Sequence, residues 1–141
     1  MKIDHVILAE GAAADLRGAL TLVGVNQRVV NAPSLPFSFK QSLAITFTSG
    51  PASTANEAAQ NGQLSVAVTG PGGDTTFAVS TAIPIAPSAR KDAPSIGHIL
   101  LELPISGTSH GTYRVSVTWE APEDDRDTRN IDLYVVAPEQ A

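Results

Sequence analysis

The chain has 141 residues, 43% of them hydrophobic, and a formal net charge of −5 from 14 acids against 9 lysines and arginines. That length fits one domain, 1–141, whose folding buries roughly 70% of the unfolded chain's surface, enough for a core without covalent staples. Having no cysteine excludes a disulfide framework and a thiolate metal site, an acidic balance without a basic stripe argues against nucleic acid as partner, and no apolar run approaches the ~20 residues of a bilayer-spanning helix.

Residues 3–9 form a nearly unbroken apolar run interrupted at Asp4 and His5, which predicts a first strand buried on both faces rather than an edge. The run holds an acid, Asp4, and lacks a small-residue cleavage signature, so it does not read as a secretory leader, and the expected location is the cytoplasm. Residues 10–18 are too short for an independent helix and are expected to connect, with at most one helical turn. A second strand is predicted over 19–26, with Gly24 inside it as a bulge or close backbone approach. Two prolines, Pro33 and Pro36, then break any ladder.

The clearest alternation follows. Phe37, Phe39, Leu43, Ile45 and Phe47 share one face, with Gln41 the exception, and Ser38, Lys40, Ser42, Ala44, Thr46 and Thr48 share the other. This predicts one long strand, wet outside and apolar inside. Residues 49–62 read as a long loop, with one helical turn over 56–60. Leu64, Val66 and Val68, the glycine-rich turn 70–74, and Phe77 and Val79 form a hairpin. The proline-punctuated stretch 83–96 is an exposed crossing connection, and Ile99, Leu101 and Leu103 belong to a strand that Pro104 ends.

The late hairpin organises the rest. Tyr113, Val115, Val117 and Trp119 fall on one side of an extended chain and Arg114, Ser116, Thr118 and Glu120 on the other, answered by a return strand over 131–136. Burying the single tryptophan fixes which face the other strands cover, because a slip of one residue would turn the ring out to water. About eight short strands, no convincing helix and no internal repeat predict an all-β, antiparallel two-layer β-sandwich, immunoglobulin-like or jelly-roll-like.

The apolar first strand, residues 18–25 soon after it, the Pro33/Pro36 break, the turn 70–74, and Gly111-Thr112-Tyr113-Arg114-Val115 with its return strand 131–136 together resemble a family of small uncharacterised bacterial β-sandwich proteins, a domain of unknown function. The resemblance covers most of the chain and implies a sandwich; it carries no activity, cofactor or catalytic residue. The loop 123–127 is longer than the tight turn of that family.

That acidic loop is the best chemical candidate, with Asp124, Asp125 and Asp127 as Ca²⁺ ligands. Against this, it has no turn glycine and no correctly spaced bidentate glutamate, and Arg126 and Arg129 offset its charge, so a solvated hairpin tip is the simpler reading. His5, His98 and His110 have no second ligand at metal-binding spacing, although folding could bring His5 and His98 together. There is no Gly-x-Ser-x-Gly elbow, and the 70–74 turn lacks the Lys-Ser/Thr and helix of a phosphate loop. No catalytic residue, cofactor or small-molecule substrate is assigned. All large rings but Tyr134 occupy inward positions, which argues against a stacking platform.

One anomaly bears on function. The first strand has Ile3 and Ile7 on one face and Val6 and Leu8 on the other, and the last has Leu133 and Val135 opposite Tyr134 and Val136. Strands apolar on both sides need cover, from the chain's own 83–96 crossing or from another molecule. Val6, Leu8, Tyr134 and Val136 are therefore the candidate interface, and a non-enzymatic protein-interaction or assembly module, self-associating or heteromeric, is the expected function. The alternatives are a structural or decoration component of a phage or other large particle, hence a virion location, and a Ca²⁺-dependent binding domain.

Overall fold

The computed structural model describes residues 1–15, 17, 19–25, 28–50, 61–85, 92–122 and 124–138, without the side chains of Asp124 and Asp125. The expected helical turn at 56–60 and the centre of the 83–96 crossing lie outside these residues. The described chain is all-β: β1 (Lys2–Ala9), β2 (Gly11–Ala14), β3 (Leu20–Val23), β4 (Val29–Asn31), β5 (Phe37–Ser49), β6 (Asn61–Thr69), β7 (Thr75–Pro84), β8 (Ser95–Gly107), β9 (Gly111–Ala121) and β10 (Asp124–Val136). They form sheets ordered β1-β5-β8, β4-β10-β9-β6-β7 and β2-β3, none closed into a barrel.

Ten strands stand where about eight are expected. One addition is β2, in the stretch expected to be a connection; it pairs antiparallel with β3 from Gly11–Val23 to Ala14–Leu20. Asp15 closes this ribbon, its Oδ1 accepting from the amides of Arg17 at 2.8 Å and Ala19 at 2.9 Å, the local bonding that suits aspartate to turns. Gly24 lies beyond β3 rather than inside it, at φ 65°, where a Cβ would run into the Glu10 side chain. The other addition is β4, whose three residues lie parallel to β10. It is too short to leave a periodic signal.

Further expectations need correction. β1 is an edge strand, paired only with β5 among the described strands. Pro104 does not end β8, which continues to Gly107. The missing amide is tolerated because β8 is an edge, where no further ladder needs it. The return strand starts at Asp124 rather than Ile131.

The long strand β5 keeps its alternation on the core side, where Gln41 is 5% exposed with its Oε1 unpaired. Its other face is drier than expected. Ala44 and Thr46 are buried there, as is Ala9 of β1, and β2 lies against both β5 and β8. Among the described strands, β2 is placed to cover this face, while the centre of the 83–96 crossing lies outside the described residues.

One core joins the two larger sheets: Ile3, Leu8, Phe37, Leu43, Ile45 and Phe47 from β1 and β5 meet Leu64, Val66, Val115, Val117, Trp119 and Leu133 from β6, β9 and β10. Trp119 is buried as expected, its ring edge-on to Phe47 at 4.9 Å and its indole N–H donating to the carbonyl of Met1 at 3.1 Å. Tyr113 packs edge-on to Phe37 at 5.3 Å and donates its hydroxyl to the carbonyl of Ser109 at 2.8 Å. Both polar ring atoms are thus satisfied, the condition for burying such rings. Each also needs a glycine. A Cβ on Gly62 would overlap the Trp119 indole, and one on Gly107 the Tyr113 phenol.

Candidate functional site

The four residues named as an interface do not share a surface. β1 carries a bulge between Ile3 and His5, one extra residue that reverses the alternation. Ile3, Val6 and Leu8 therefore oppose Phe47, Ile45 and Leu43, all core positions, while His5 and Ile7 turn to the other face. Leu8 is 1% exposed and part of the core, and Val6 packs against it. The two-sided look of this strand is a register shift at Asp4, not a face awaiting cover.

Tyr134 and Val136 lie away from the core at the end of β10 beside β4. Tyr134 opposes Val29 of β4, and the two leave a small exposed apolar corner, while Val136 is half-buried. Beside that corner the face carries a row of polar rungs. Arg114 pairs with Asp132 at 3.0 Å, Ser116 with Asn130 at 2.8 Å and Thr118 with Thr128 at 3.2 Å, rungs set by the β9–β10 register. Ser65 and Ser80 continue the pattern across β6 and β7.

The acidic stretch is not a loop over its length, because Asp124 already opposes Ala121 and Asp127 opposes Trp119. Asp127 is occupied by Arg129, whose Nε donates at 3.1 Å. This hydrogen bond, with the carboxylate's charge, raises the Arg129 pKa, and Nη2 of the same guanidinium donates to the carbonyl of Ile3 at 3.3 Å. Arg129 therefore straps the bulged strand to β10. Arg126 pairs with Glu120 at 3.2 Å. Among the described residues no three His, Asp or Glu side chains converge to hold a cation.

His5 and His98 do come into one cross-strand row, each opposing Thr46, but they are spent separately. His98 Nδ1 shares a hydrogen bond with Thr46 Oγ1 at 2.9 Å, and His5 Nε2 lies 3.1 Å from Asp4 Oδ2. His110 Nε2 lies 2.9 Å from the carbonyl of Ala32. The 70–74 segment is a hairpin turn, with the amides of Gly73 and Gly70 donating to the carbonyls of Gly70 and Asp74. An open depression of about 370 Å³ beside it is lined by Thr69, Gly70, Pro71, Gly73, Thr112 and Arg114.

A feature that periodicity did not reveal is the edge formed by β7. It pairs with β6 from Asn61–Pro84 to Thr69–Thr75, and among the described residues no strand lies along its other side. Val79 is 39% exposed, and Ile96, early in the nearby β8, is 60% exposed. Compared with protein-family models and with curated proteins, the chain matches none of them.

Proposed function

We propose that the protein is a non-enzymatic protein-interaction or assembly module built as a two-layer β-sandwich, in which the sheets β1-β5-β8 and β4-β10-β9-β6-β7 are the layers. The observation that carries the reading is β7, a ten-residue strand at the edge of the larger sheet with no strand along its outer side among the described residues; such an edge offers a row of backbone donors and acceptors to another chain. The exposed apolar corner of Val29 and Tyr134 adds a second contact surface at the opposite edge. Size-exclusion chromatography with light scattering, together with affinity capture from native cells, tests it. A stoichiometric complex is expected, either with itself or with another polypeptide. A protein that stays monomeric at micromolar concentration and captures no stoichiometric partner would overturn the reading.

A structural or decoration role in a phage or other large particle is the same chemistry repeated. The two open edges of one sheet, β4 and β7, favour it, since contacts at opposite ends of a subunit can propagate. Recovery in assembled particles, rather than as free protein, is the outcome expected on that reading.

A further inference from the structure

We propose that β7 pairs antiparallel with β7 of a second copy of this chain, joining two five-stranded sheets across a two-fold axis that passes between the two copies of Ser80. The proposal rests on the interaction-module reading and names its surface and partner.

Every other long edge carries a device that blunts strand addition. β1 has Lys2, Asp4, His5 and a bulge, and β8 has His98, Glu102 and Pro104, which has no N–H to give. β4, at the far edge of the same sheet, has three residues and follows Arg28. β7 carries such devices only at its ends, an irregular pairing at Thr75 and Pro84 at the other end; between them Thr76-Phe77-Ala78-Val79-Ser80-Thr81-Ala82-Ile83 holds no ionisable group.

Charge decides between a copy of the chain and a foreign peptide. Each molecule carries a formal −5, so two copies repel wherever their acidic surfaces face. A strip without charge is the place where like molecules meet at no such cost, and it offers a charged peptide nothing complementary.

The sequence is also self-complementary about Ser80, a register that overlaps the strand from Thr76 to Pro84. With Ser80 on the axis, Phe77 opposes Ile83 and Val79 opposes Thr81 on the core-facing side, and Ala78 opposes Ala82 on the other. An aromatic ring against a β-branched residue is a favourable cross-strand pair. Moving the axis to Val79 would set Phe77 against Thr81 and Ile83 against Thr75, so that both large apolar residues would face threonines, whereas the Ser80 register has the single mixed pair Val79 with Thr81 on the core-facing side. Any half-step would oppose core-facing to solvent-facing residues. The Ser80 register also brings the second copy beside Phe77 and Ile83, which are half-buried, and Val79, which is exposed. Ser80 itself already bonds Ser65 within its own chain, so the axis disturbs no side chain that must move.

Sedimentation equilibrium of the full chain at micromolar concentration should give twice the 14.6 kDa chain mass. Chains carrying Val79→Lys with Thr81→Lys, which oppose one another in this register, should sediment as monomers. Mixing them with chains carrying Val79→Glu and Thr81→Glu should restore the dimer, which a folding defect would not. Because the protein has no cysteine, Ser80→Cys should yield a covalent dimer with a short bis-maleimide, and Ser38→Cys on β5 should not. A wild-type protein that is monomeric throughout overturns the proposal. So does a dimer that survives the double lysine change or fails to cross-link through Ser80→Cys; that result removes the β7 surface while leaving an interaction module intact.

Discussion

Trp119 shows how one side chain fixes its surroundings. Its ring rests on Phe47, its N–H reaches the carbonyl of Met1, and the space beneath it exists because residue 62 is glycine. Trp119→Ala should cost roughly 3–5 kcal/mol, the range for removing a large buried aromatic. Gly62→Ala should cost about 1–3 kcal/mol, since the methyl must displace an indole already fixed by Phe47 and by its hydrogen bond to the Met1 carbonyl. Urea denaturation of the two variants checks both; a loss under about 1 kcal/mol for the first would mean that the indole is not a core anchor. Gln41 is the opposite case. Its buried Oε1 accepts nothing, so Gln41→Leu should leave stability unchanged or raise it by about 1 kcal/mol in the same assay.

At the scale of elements, β1 carries the clearest lesson. Its extra residue at Asp4 lets Ile3 and the Val6/Leu8 pair face the same core despite an odd spacing in sequence. Removing Asp4 would leave a regular ladder with Ile3, Val6 and Leu8 still inward, whereas removing Ile7 would push His5 into the place of Val6. The Asp4 deletion should therefore melt close to wild type. The Ile7 deletion should lose about 1–3 kcal/mol, read from thermal unfolding by circular dichroism. Equal losses would show that the bulge does not set the register. The Arg129 guanidinium binds the carbonyl of Ile3 beside that bulge, so a charged side chain here fastens an edge strand instead of repelling one.

For the whole molecule, the unequal sheets matter most. They hold three and five strands, and among the described residues Val79, on the β7 margin of the larger sheet, is exposed on the side where Val66 and Leu64 of β6 are buried. If two copies meet there, folding and association are linked, and the melting temperature should rise with protein concentration. The double lysine variant should show no such rise. Added salt should strengthen the wild-type dimer or leave it unchanged, because screening relieves repulsion between two acidic molecules without weakening an uncharged contact. A dimer that dissociates as salt is raised would mean that ion pairs hold it, which the composition of β7 does not allow.

Local pattern determined the all-β class, the long alternating strand around Leu43, the Gly70–Asp74 turn and the inward placement of Trp119 and Tyr113. In each of these, every second residue, or a run of turn formers, records the environment directly. The bulge at Asp4, the strands β2 and β4, the passage of β8 through Pro104 and the open margin at β7 were decided only in the tertiary structure. A bulge is a relation between two strands, a three-residue strand has no period to read, and whether an edge is central or free depends on which neighbours arrive from elsewhere in the chain. The same reason explains why Val6 and Leu8 looked like surface residues and belong to the core: a face is defined by the partner across the ladder, and one inserted residue exchanges the two faces.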